Sequence, residues 1–226
     1  MGMKQINGIW VYDRLDELVA PAHTAVLLVD VQNDFCHDDG HFARAGKDMT
    51  LVRTRLPGIV DFVAEAQALG LPVVFIQQQT LPDNASDSAA WLRFKNRDGK
   101  APDYTLTGSW GAALVDGLTP GPADMDLVKF RPDAFHRTDL DDKLRARGVE
   151  TVVVLGYNTE GCVESTVRAA SYHDYYVVVV RDGIGSPNRV QHDGSMRLFE
   201  ERYPLHDADE ILNVWRAAAA TERAAS

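Results

Sequence analysis

The chain has 226 residues, 45 % apolar and 25 % charged, which are the proportions of an ordinary globular protein able to bury a core without staples. With 23 basic against 33 acidic side chains the formal charge is −10, which argues against nucleic acid or an acidic membrane surface as a partner. Only two cysteines, Cys36 and Cys162, are present, and no apolar run approaches the roughly 20 residues of a membrane helix. A disulfide framework, a zinc ribbon and a membrane span are therefore excluded, and a cytoplasmic protein is expected.

A β-branched apolar run at 24–31 predicts the first buried strand. A helix follows at 58–69, with Ile59, Phe62, Val63, Ala66 and Leu69 on one face and Gly70 as its stop. The second strand covers 72–77. The stretch 78–108 is polar and rich in Asp, Asn and Ser, and a loop that long reads as a functional lid. Residues 125–129 form a weaker strand. Thr138 opens a helix at 139–147, with Asp141 completing a weak capping box and Gly148 ending it. Strands at 151–155 and 176–181 flank a helix at 162–174. Helices at 190–202 and near 208–219 complete the pattern, and 219–226 reads as a frayed tail. Alternating strands and helices predict the α/β class. The expected architecture is one doubly wound domain over 1–226, its mainly parallel sheet covered by helices on both faces in three layers.

In such sheets ligands bind beyond the carboxyl ends of the strands. Three reactive side chains fall there: Asp30 in LLVDVQNDF, Lys129 in DLVKF and Cys162 in GYNTEGCVEST. A thiol at a helix N-terminus, near an ammonium, is pushed toward thiolate. An aspartate can take the thiol proton and return it to a leaving amine, while free N–H groups at the helix start hold an oxyanion. Together these parts suit acyl transfer from an amide or ureido carbonyl. Read singly, each has a plain structural alternative. Asp30 can be a turn residue, Lys129 a solvated charge, and Cys162 a small buried hydrophobe.

The three segments together resemble the isochorismatase-like cysteine hydrolases, the family of nicotinamidase, N-carbamoylsarcosine amidase and ureidoacrylate amidohydrolase. LLVDVQNDF resembles the family's first-strand motif, VKFRPDAFHRTDL its lysine segment and GYNTEGCVEST its nucleophile loop. The resemblance runs from Thr24 to about Leu212 and implies a Cys-Asp-Lys triad of Cys162, Asp30 and Lys129. It also implies a non-proline cis peptide between Tyr157 and Asn158, with the amides of Asn158 and Cys162 as oxyanion donors.

Having Cys162 separates the chain from isochorismatases proper, which lack the nucleophile. FIQQQTLPDNASDSAAW contains no histidine where nicotinamidases place metal ligands, so no metal and no other cofactor is expected. His37 and His41 read as solvated loop residues, and Cys36 as a bystander rather than a redox partner of Cys162. GSWGAALVDGLTP and CVEST are most similar to the ureidoacrylate and N-carbamoyl amide group, which implies hydrolysis of a small ureide or carboxamide with release of ammonia. Gln78 falls where those enzymes set an amide against the substrate, and a Gln suits a ureido group because it both donates and accepts. Phe35, Trp110, Phe135 and Tyr157 are candidate pocket aromatics, with core packing as the alternative for each. Pro132-Asp133 departs from the family pattern, and an inward Asp133 would disfavour an anionic substrate. The resemblance further implies a homo-oligomer, dimer or tetramer, with a small-molecule substrate as its other partner. The rival readings are a nicotinamidase-like amidase or lactamase, and a non-catalytic thiol sensor or binding protein on the same fold.

Overall fold

A computed structural model describes residues 3–96 and 103–225. The chain begins with a hairpin, β1 (Lys4–Ile6) and β2 (Ile9–Val11), turned by Asn7 and Gly8, both at positive φ. Sequence patterning overlooked it, although Asn-Gly between apolar residues is a strong two-residue turn signal. The short helix α1 (Leu15–Leu18) leads into β3 (Thr24–Val29). After β3 come two further short helices, α2 (Asn33–Cys36) and α3 (His41–Arg44), and then the long α4 (Thr50–Ala68). Helix α4 starts eight residues before the expected position because it runs through Pro57. An interior proline forfeits a hydrogen bond and costs about 3 kcal/mol. Burial of Val52, Ile59, Phe62, Val63 and Ala66 against the sheet offsets that cost. Gly70, at φ +83, ends the segment as expected.

Next come β4 (Val73–Gln78), α5 (Ala89–Lys95) and β5 (Met125–Lys129). Helix α5 lies inside the stretch taken from the sequence as structureless, and Ser88 caps it by accepting the Trp91 N–H. Part of that stretch, 97–102, lies outside the described residues. The remaining elements are α6 (Leu140–Arg145), β6 (Thr151–Tyr157), α7 (Glu164–Tyr172), β7 (Tyr176–Gly185), α8 (Arg189–Arg202), β8 (Leu205–His206) and α9 (Ala208–Ala225). Helix α9 therefore replaces the expected tail. Its Ile211, Leu212 and Trp215 are buried, and the Trp215 indole donates to the Val19 carbonyl at 2.7 Å.

The large sheet has strand order β5-β4-β3-β6-β7-β8, and every pairing is parallel. Its strands are apolar on both faces, as expected of a sheet sandwiched between helices. On one face Val26 and Leu28 pack with α4 and α9; on the other Ala25, Leu27 and Val29 pack with α6, α7 and α8. The chain winds one way from β3 to β4 and β5, then returns to β6 on the other side of β3. The loops leaving β3 and β6 thus diverge in opposite directions, which opens a crevice between them. No helix among the described residues is long and apolar enough to cross a membrane.

Candidate active site

Asp30 follows the last residue of β3 at φ 52, a conformation that non-glycine residues adopt rarely and usually for local reasons. It is fully buried. One carboxylate oxygen accepts the Gln78 N–H at 2.9 Å, and the other faces the Lys129 ammonium at 2.7 Å. Lys129 ends β5, and two strands separate its position in the sheet from β6. Its side chain reaches past β4 to Asp30 at the end of β3, with no exposed surface. The ammonium also donates to Gln78 Oε1 at 3.2 Å. Gln78, directly opposite Lys129 in the β4–β5 register, therefore belongs to the charged centre.

Beyond β6 the peptide between Tyr157 and Asn158 is cis. Gly156, at φ +124, passes so close to β3 that a side chain there would strike the Val29 carbonyl. Asn158 accepts N–H bonds from Gly161 and Val163, both at 3.1 Å, in a wide turn that carries Cys162 and runs on into α7. Cys162 thus lies within a wide turn and does not itself open the regular helix. Such wide turns recur at functional sites. The Cys162 thiol is electrostatically coupled to both Asp30 and Lys129.

Electrostatics correct the expectation of a resting thiolate. Burial pushes the Cys162 thiol up, the Asp30 carboxylate pushes it further, and Lys129 only partly opposes them. Burial likewise raises Asp30 against the pull of Lys129. Burial works against the Lys129 charge, yet Asp30 and Cys162 outweigh it and hold the ammonium above the usual lysine range.

The candidate aromatics divide. Phe35 is buried 4.9 Å from Phe42 and 5.7 Å from Tyr104, whose phenol is pushed up by burial and by the nearby Cys162, Asp87 and Asp30 charges. Phe35 thus packs among rings rather than against the thiol in any contact seen. Phe135 stacks on His173 with ring centroids 4.8 Å apart, at the C-terminal end of α7. Helix α7 separates it from Cys162 by about 13 Å at 1.5 Å per residue, so it packs the opposite end of the core. Tyr157 is wholly buried and donates to the Val52 carbonyl at 2.9 Å, anchoring β6 to α4. Trp110 is 51 % exposed and meets His37 edge-on. His41 is half-buried against Phe42 and Tyr104 rather than solvated, and burial pulls its pKa down. Cys36 is buried, and burial pushes its thiol well above the usual range. The Asp133 carboxylate accepts the Phe135 N–H at 2.8 Å and so closes its own turn.

Several residues that organise the site went unread in the sequence. Gln32 accepts the Gln78 N–H at 2.9 Å and donates to the carbonyls of Gln78 and Ala112. Asn33 donates to Trp110, and Asp34 accepts from Thr105 at 2.6 Å and from His41 at 3.1 Å. The run VQNDF thus ties the ends of the lid to β3. On the other side, His192 meets Thr159 at 2.8 Å, Ser186 donates to Glu160 at 2.8 Å and Ser195 to Glu164 at 2.5 Å. These bonds fasten the nucleophile turn to α8 and the end of β7. Polar residues flanking a quoted motif were the available signal, but their partners lie far away in sequence.

The fold matches known structures. A cysteine hydrolase from Pseudomonas syringae pv. phaseolicola 1448A superimposes with a TM-score of 0.76 at 22 % identity, covering 89 % of this chain and 96 % of that one. N-carbamoylsarcosine amidase from Thermoplasma acidophilum gives 0.64 at 26 % identity, over 83 % and 97 %. In sequence, the ureidoacrylate amidohydrolase RutB of Methylobacterium radiotolerans is 38 % identical over 172 residues, 72 % of this chain and 67 % of that protein. Residues 24–204 match the isochorismatase domain, and the chain belongs to that family.

Proposed function

We propose that this chain, a hydrolase of the isochorismatase family, is a cysteine amidohydrolase that cleaves the C–N bond of a small ureide or carboxamide and releases ammonia. The observation that carries this reading is the buried Asp30–Lys129 pair, with the partly buried Cys162 electrostatically coupled to both. The amidohydrolase and amidase among its relatives support the same reaction class.

Asp30 takes the Cys162 proton as the sulfur attacks the carbonyl carbon, and Lys129 balances the negative charge of the pair. The oxyanion rests on the backbone N–H groups of Asn158 and Cys162. As the C–N bond breaks, Asp30 returns the proton to the nitrogen and ammonia leaves. A ureide leaves a thiocarbamate on sulfur, and an amide leaves a thioester. Asp30 then takes a proton from water, the hydroxide attacks, the C–S bond breaks and the proton goes back to sulfur. The carbamate from a ureide falls apart to an amine and carbon dioxide. Gln78 has one Nε2–H still free beside its bond to the Gln79 carbonyl and serves the ureido oxygen. The same reading makes the protein a cytoplasmic homo-oligomer.

Cys162→Ala should lower ammonia release from a responsive ureide by at least about a thousandfold. Undiminished release by that variant would remove Cys162 from the mechanism.

A further inference from the structure

The turn that carries Cys162 leans on its surroundings. The Asn158 carbonyl accepts both the Gly161 and the Val163 N–H, and regular α7 begins only at Glu164. Three side chains of this stretch reach outward, and all three find partners at the end of β7 or on α8: Thr159 meets His192, Glu160 meets Ser186 and Glu164 meets Ser195. Cys162 lies between these attachments, three residues after Thr159 and two before Glu164.

The attachments are not equivalent. Glu160 and Glu164 are partly exposed, and Glu164 also accepts from Arg168 at 2.9 Å. Thr159 has no exposed surface, and among the described residues its hydroxyl has one hydrogen-bond partner, His192 Nδ1 at 2.8 Å. His192 is itself only 4 % exposed, which leaves water little room to replace either group. The first turn of α8 holds the ring in place. There Asn188 caps the helix by accepting the Gln191 N–H, its carbonyl accepts the His192 N–H, and its own N–H donates to Ser186. Burial, with Arg189 and Arg55, pulls the His192 pKa down against the pull of Asp193. The ring is therefore uncharged at neutral pH and can pair with a hydroxyl in either tautomer. Thr159 directly follows Asn158, one of the two amides assigned to the oxyanion, so whatever fixes Thr159 also fixes that peptide.

We propose that His192 is a positioning residue for the reaction: through Thr159 it holds the turn so that the sulfur and the oxyanion donors keep their places relative to Asp30 during attack. This rests on the amidohydrolase reading and adds to it a residue that acts through another side chain.

The test measures ammonia release from a ureide that the wild type hydrolyses. His192→Leu should lower kcat by about tenfold to a hundredfold, the scale of a misplacement of about 1 Å, and leave KM within about twofold. His192→Asn sets an amide where Nδ1 stood and should recover most of the lost kcat. Thr159→Val keeps the shape of the side chain without its hydroxyl and should match His192→Leu, whereas Thr159→Ser should stay near the wild type. Combining His192→Leu with Thr159→Val should lose no more than either alone, because both cut one bond. Loosened packing would instead affect His192→Asn as it does His192→Leu, and the losses would add. If His192→Leu does not fold, the two Thr159 variants decide. Undiminished kcat in Thr159→Val, no recovery in His192→Asn, or additive losses overturns the positioning role and leaves the amidohydrolase reading standing. Absence of ammonia from every ureide and carboxamide tried overturns both.

Discussion

The floor of the site and its lid are built on different principles. Asp30, Lys129 and Gln78 sit at strand ends, buried, and bonded to one another within 2.7–3.2 Å. The lid is polar and is held by side chains reaching to backbone, such as Asp34 to Thr105, Gln32 to Ala112 and Arg131 to Ser86. The floor is fixed by the same strands that make the core, so it cannot shift without loss of the fold. The lid rests on a handful of separable hydrogen bonds and can be rebuilt without disturbing the sheet. The proposed mechanism accordingly assigns chemistry to the floor and leaves selectivity to the lid.

The largest effect expected from breaking this division is at Lys129. Lys129→Met strands the Asp30 carboxylate in the core and should cost about 3–5 kcal/mol in urea unfolding, along with activity. Adding Asp30→Leu should restore stability but not turnover. A single Lys129→Met variant that melted like the wild type would mean that the floor is less rigid than its burial implies.

The pH profile sharpens the same point. In the proposed mechanism Asp30 works as a base only when ionised, so kcat/KM should rise with pH as its proton leaves. Burial raises its pKa, so the acidic limb should lie above the ordinary aspartate value of about 3.9. The ammonium of Lys129 is held above its usual range, so the plateau should extend to high pH. An acidic limb at or below that ordinary value would contradict the burial of the pair.

Asp34→Ala removes the acceptor of the Thr105 N–H in the lid and of the His41 N–H in α3, and should cost about 1.5–3 kcal/mol in stability while raising KM more than it lowers kcat. Equal losses in both kinetic constants would place Asp34 with the floor. The smallest effect is expected at Trp110, which faces solvent. Trp110→Ala should change stability by no more than about 0.5 kcal/mol and leave KM as it is.

The same division explains what could be read from the linear sequence. Asp30, Lys129 and Cys162 stood out because each lies where an apolar run stops, a local signal that the parallel sheet turns into proximity. The doubly wound parallel class followed from the alternation of elements, whereas the strand order came only with the structure. The Asn7-Gly8 hairpin was equally local and was overlooked. Helix α4 was started too late because Pro57-Gly58 looked like a boundary, and tertiary burial outweighed that local preference. The pairing of Thr159 with His192 was out of reach, since nothing within a few residues of either one points to the other. Phe135 and Tyr157 looked like pocket residues because they neighbour catalytic segments in sequence. Their side chains point into the core, as rings of their size do when space is available.

The burial that pushes the Cys162 thiol up has a consequence outside turnover. Peroxides and alkylating agents react with thiolates far faster than with thiols. A setting that disfavours the thiolate slows both reactions at Cys162, whatever its role in turnover.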